Sequence, residues 1–151
     1  MLPDLEPRLL PPLVDGELEL HLVERTLADP ARNRAAQYRW DILVNGERVG
    51  GISFRLGHGE YIEKYAGHVG YGIEHEHRGK HYAARACKLV FPVAASHEFR
   101  VVWITCNPEN VASRRTCELA GGQLVDIVDL PPETDMYREG ERQKCRYRFV
   151  V

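Results

Sequence analysis

Several features that would settle a function outright are missing from this sequence. No run of apolar residues approaches the roughly 18 needed to cross a bilayer, so no membrane-spanning helix is expected. Met1 to Pro12 offers acids and prolines where a secretory leader needs a basic end and an apolar run, so a cytoplasmic setting is expected. The four cysteines, Cys87, Cys106, Cys117 and Cys145, form no C-x-x-C pair, which favours reduced thiols over a disulfide frame. A net charge of −2 leaves no basic field for nucleic acid. Repeats and low-complexity segments are absent too.

What remains is the chemistry of an ordinary globular chain. Its 151 residues, 44% apolar and 28% charged, fit one domain. Residues 1–15, with prolines at 3, 7, 11 and 12, read as an extended lead-in to a domain over 16–151. Leu18, Leu20 and Leu22 alternate with polar residues, as on a half-buried strand. Asp29 to Gln37 suggests a short polar helix, with Asp29 as N-cap and Pro30 at its first position. Tyr38–Val44 and Arg48–Leu56 read as strands joined by Asn45-Gly46, a dipeptide suited to a tight hairpin. A strand over His68–Ile73 and a helix over Lys80–Phe99, containing Pro92, come next. Then follow a strand over Val101–Cys106, a helix over Asn110–Leu119 ended by Gly121-Gly122, and strands over Leu124–Leu130 and Cys145–Val151. The order predicts an α/β fold with a mixed, mostly antiparallel twisted sheet flanked by helices.

From the fourth of these strands into the long helix runs Gly70-Tyr71-Gly72-Ile73-Glu74-His75-Glu76-His77-Arg78-Gly79-Lys80-His81-Tyr82-Ala83. The first amides of a helix lack partners and sit at the positive end of its dipole, so they bind anions. Gly79 allows close backbone approach, and Arg78 and Lys80 add charge. A phosphate or pyrophosphate site is expected here. It is no Walker loop, since no Ser or Thr follows Lys80 to hold magnesium.

Arg78-Gly79-Lys80-His81-Tyr82-Ala83 resembles the Arg/Gln-x-x-Gly-x-Gly/Ala motif of the GNAT N-acyltransferases, with His81 where that family usually has glycine. Asn107-Pro108-Glu109-Asn110-Val111-Ala112-Ser113 and the later Gly121-Gly122 resemble the family's Asn-x-x-Ser helix and its closing turn. The resemblance implies acetyl-CoA as co-substrate. Tyr71, Gly72, Ile73, Arg78, Gly79, Lys80, His81, Tyr82, Ala83, Asn107, Asn110 and Ser113 would then hold it, the amides of Tyr71–Ile73 polarising the thioester.

Acyl transfer to an amine needs the amine neutral and the thiolate released. Deprotonating a lysine-like ammonium at pH 7 costs about 4.6 kcal/mol, against about 2 kcal/mol for the thiol, so the base should matter more than the acid. In the family a carboxylate often precedes the Gly-Tyr pair by two residues; His68 stands there, and an imidazole is a competent base. Glu74, on the same strand face by period two, is the second candidate. The family's usual acid, a tyrosine four residues after the helix serine, is replaced by Cys117.

Other readings stay open at this stage. His68 and Cys117 can both be satisfied core residues. The histidines at 75, 77 and 81 have no fourth ligand at a recognised spacing, so no metal is expected. A non-catalytic acyl-CoA-binding or sensory module, a nucleotide-binding protein, and acetylation of a protein N-terminus or lysine are the rivals to a small-molecule N-acetyltransferase. A small polar amine is the favoured acceptor. The loop Pro131–Gly140, acidic first and basic later, can attract both an ammonium and an anion, or be ordinary solvated turn. The sequence is compatible with a homodimer.

Overall fold

A computed structural model describes residues 13–151; residues 1–12 of the expected lead-in lie outside the described residues. Strands β1 (Val14–Asp15), β2 (Leu18–Thr26), β3 (Gln37–Val44), β4 (Glu47–Arg55) and β5 (Val69–Ile73) form one antiparallel sheet in that order. Helix α1 (Tyr82–Ser96) follows, then β6 (Val101–Cys106) and α2 (Val111–Leu119). Strand β7 (Gln123–Asp129), the single turn α3 (Asp135–Arg138) and β8 (Gln143–Val150) complete a second sheet, ordered β6-β8-β7. The α/β fold and its antiparallel sheets are as the sequence predicts.

Alternation explains the core. Leu18, Leu20, Tyr38, Trp40, Ile42, Ile52, Phe54 and Val69 are buried, while the residues between them turn to the other face. Against the buried face lies α1, through Ala83, Ala86, Cys87, Val90 and Ala94. Pro92 does not end this helix. It sits exposed, late in the helix, and the chain runs on helically to Ser96. Asn45 (φ 51°) and Gly46 (φ 81°) make the expected hairpin between β3 and β4.

One segment departs from its reading. Instead of a helix over Asp29–Gln37, only a 3₁₀ turn forms, at Pro30–Arg32, and the Asp29 side chain caps nothing. Backbone bonds in both directions between Asp29 and Arg34 (2.9 and 3.0 Å) close the turn, and left-handed Asn33 (φ 54°) terminates it. A stretch so polar has no apolar face to dock, and short helices need one. A π-helical turn at Tyr61–Ala66, which the sequence did not suggest, bears on β6 and β8.

The two sheets join at only one end. Beside β5 the His68 N–H donates to Trp103 O (2.7 Å), and the Trp103 N–H donates to His68 Nδ1 (2.9 Å). Past that point β5 and β6 belong to separate ladders. On its other side β5 is paired: Arg55 N–H donates to His68 O (2.7 Å) and Glu74 N–H to Val49 O (2.9 Å). Antiparallel pairing alternates, so the backbone groups of Val69, Tyr71 and Ile73 point away from β4, into the gap.

Candidate active site

A cavity of about 420 Å³ occupies the open side of that gap. Its floor is Tyr71, Gly72 and Ile73 of β5; one wall is Arg78, Gly79, Lys80, His81, Tyr82 and Ala83; the other is Asn110, Ser113, Thr116 and Leu119. The turn into α1 depends on two left-handed residues, Gly79 (φ 84°) and His81 (φ 62°). His81 gives no side-chain cap, so the first amides of α1 stay open to an anion in the cavity. Arg78 curls back, its Nε–H donating to Ile73 O (2.9 Å), which leaves the rest of its guanidinium for a ligand. On the opposite wall Asn110 caps α2, its Oδ1 accepting from the Ser113 N–H (3.1 Å).

The phenol of Tyr71 reaches across the cavity from β5 to α2. Its oxygen lies 2.7 Å from Ser113 Oγ, donates to Ser113 O (3.3 Å), and stands 3.9 Å from Cys117 Sγ. Burial above all, with Cys117 nearby, pushes the phenol well above its ordinary pKa, so its proton stays in place.

The structure thus brings eleven of the sequence candidates to one cavity: Tyr71, Gly72, Ile73, Arg78, Gly79, Lys80, His81, Tyr82, Ala83, Asn110 and Ser113. Four others are held elsewhere. Asn107 Oδ1 accepts from Lys144 Nζ (2.7 Å), outside the lining. Glu74 holds Arg48 Nη1 (2.6 Å). Cys117 is 0% exposed behind Tyr71, and its hydrogen bond to Cys106, together with burial, pushes its thiol far up.

His68 is the fourth, and 1% exposed. Because Nδ1 accepts from Trp103, Nε2 carries the hydrogen and donates to Gly57 O (3.1 Å). Burial holds its pKa down to about 4. Both nitrogens are committed, so the ring has no lone pair for an incoming ammonium. Its geometry is that of a structural histidine at the vertex of the gap.

Two groups of histidine and carboxylate come close enough to consider as metal ligands: His58, Glu63 and His68, and Glu74, Glu76 and His77. The first would need His68 to give up the bonds that join the sheets; the second would need Glu74 to release Arg48. Neither arrangement is a prepared site. A second hollow, of about 450 Å³, lies between residues 28–36 and 56–62 and includes none of the basic loop.

The family model described as "Acetyltransferase (GNAT) domain" matches residues 10–123. No curated protein matches the sequence. Among solved structures, the chain is similar to the microcin C7 self-immunity acetyltransferase MccE in complex with acetyl-CoA and AMP: TM-score 0.61 and 18% identity over 76% of this chain and 61% of that one. It is also similar to RimL, the ribosomal L7/L12 α-N-protein acetyltransferase, in complex with coenzyme A, with TM-score 0.67 and 14% identity over 91% and 96% of the two chains. Against Mycobacterium smegmatis RimJ in complex with CoA-disulfide the values are 0.60 and 19%, over 80% and 55%. At these identities the likeness establishes the fold, and the chain spans about three fifths of the length of the MccE chain.

Proposed function

Because the chain belongs to the GNAT acetyltransferase family, we propose that it transfers an acetyl group from acetyl-CoA to the primary amine of a small polar acceptor. The observation that carries this reading is the gap between β5 and β6, closed at His68–Trp103 and leading to the open amides of α1. An elongated donor fits such a space. Its diphosphate would meet the Arg78–Ala83 turn, and its thioester carbonyl the inward amides of β5, where charge develops during attack.

The leaving sulfur needs a hydrogen-bond donor, and Cys117 is buried. The Tyr71 hydroxyl takes that part. As the amine lone pair closes the C–N bond, the C–S bond breaks and the sulfur keeps its electron pair. The nitrogen gives a proton to solvent; the sulfur receives one through the Tyr71 hydroxyl as that hydroxyl takes one from solvent by way of Ser113, so no tyrosinate or serine alkoxide is left behind. Neither His68 nor Glu74 supplies a free base here. The acceptor is therefore an amine whose ammonium gives up its proton more easily than a lysine side chain does.

Calorimetry with acetyl-CoA followed by thiol release across an amine panel tests the proposal. Amine-dependent release is expected. Binding without release from any amine would make the chain an acyl-CoA-binding module instead.

A further inference from the structure

Arg55 is a half-buried cation that holds no carboxylate. Its Nη1–H donates to Gly67 O (3.0 Å), and no ion-pair partner stands beside it among the described residues. Other arginines of the same sheet are neutralised even though they are more exposed: Arg39 by Glu24, Arg48 by Asp41 and Glu74. Removing a charge from water without a counter-charge is costly, and binding sites are where proteins accept that cost.

The guanidinium lies against Gly70. A Cβ at that position would stand 3.9 Å from Nη2, 4.0 Å from Nη1 and 3.4 Å from Ser53 Oγ. Ser53 makes only a long contact of 3.5 Å with Gly70 O. Two donors with capacity to spare therefore converge over a glycine. They lie on the face of the sheet opposite the buried Ile52 and Phe54. Gly70 adjoins Tyr71, whose backbone lines the gap. An anion held there would sit one residue from the point of acyl transfer.

We propose that Arg55 and Ser53 bind a carboxylate of the acceptor, so that the amine acylated is that of a small amino acid with the two groups a few bonds apart. The planar guanidinium fork matches a carboxylate better than any other side chain does. The pairing has a second effect. A free carboxylate keeps a neighbouring ammonium protonated; a guanidinium that cancels its charge lets that proton leave more easily. This would assist a site whose histidine is committed to structure. The inference rests on the acetyl-transfer reading above.

The test follows thiol release from acetyl-CoA with matched acceptors: a small amino acid, its carboxamide, and a short peptide with a free N-terminus. The wild-type protein should favour the amino acid over the carboxamide by about tenfold to a hundredfold in kcat/KM, the range for one charged hydrogen-bonded contact. In R55Q that ratio should collapse toward one; R55K should recover part of it, and S53A should lower it modestly. Melting curves and acetyl-CoA affinity identify a variant that has lost its fold, in which case S53A and R55K decide. A ratio that R55Q and S53A leave unchanged, or a wild-type preference for the carboxamide or peptide, overturns the carboxylate site while acetyl transfer stands. No release with any amine, from protein that binds acetyl-CoA, overturns both readings.

Discussion

The Trp103 amide donates to the ring of His68 and not to a carbonyl, so a side chain completes the hydrogen bonding where β5 and β6 part. His68→Ala would leave the Trp103 N–H and Gly57 O without partners and open a void beside Phe54 and Phe99. The expected cost is about 3 kcal/mol, read as a lower urea midpoint at an unchanged m-value. Turnover per folded molecule should fall less than tenfold. A hundredfold loss with intact stability would restore His68 as a general base.

The same ring sets a pH dependence. Its folded pKa of about 4 lies below the ordinary 6.5, so the unfolded chain takes up the proton first. Stability from this residue is full above about pH 6.5 and is lost as pH falls toward 4. The size is on the order of 3 kcal/mol, and His68→Gln should flatten that part of the stability–pH curve. A curve of the same slope in both proteins would place the titrating group elsewhere.

The family's glycine position is explained by backbone geometry. His81 stands at φ 62°, a conformation that costs a side-chain-bearing residue about 1–2 kcal/mol. His81→Gly should raise the melting temperature slightly and keep acetyl-CoA affinity within threefold. Gly79→Ala, at φ 84° with nothing within 4 Å of the new Cβ, should do the reverse through strain alone, by about 1 kcal/mol. A large affinity loss in His81→Gly would show the imidazole contacting phosphate directly.

Tyr71→Phe should lower kcat by about a hundredfold and change acetyl-CoA affinity less than threefold, since only the departing sulfur needs the hydroxyl. A Tyr71→Phe enzyme of full activity would remove this residue from the chemistry.

Alternation and turn chemistry made most strands readable, because Leu18-x-Leu20-x-Leu22 and Asn45-Gly46 carry their signal locally. The anion turn was readable for the same reason. What could not be read depends on distant partners. The role of His68 is set by Trp103, which stands 35 positions away, and the Tyr71 hydroxyl meets a serine 42 positions along the chain. Arg55 looked like any strand arginine, since its lack of a carboxylate is a property of the fold. Helical spacing from Ser113 to Thr116 does place both on one wall, a signal the sequence itself carries. The π-helical turn at Tyr61–Ala66 had no such pattern, being too short for periodicity to register.

A sheet split beside its fifth strand carries an edge in its interior. Exposed edges are normally guarded by charges, prolines or bulges, because any extended chain can dock on them. Here the edge of β5 is Val69-Gly70-Tyr71-Gly72-Ile73, itself without charge or proline and met by a charged side chain only at its Ile73 end, where Arg78 bonds. A ligand lying along it would take the place of a strand and add backbone pairing between the two sheets beyond the His68–Trp103 clasp. Occupancy and folding are then linked by mass action. A ligand at a hundred times its Kd would add about 2.7 kcal/mol of stability, and the protein would be most prone to self-association when its donor is scarce.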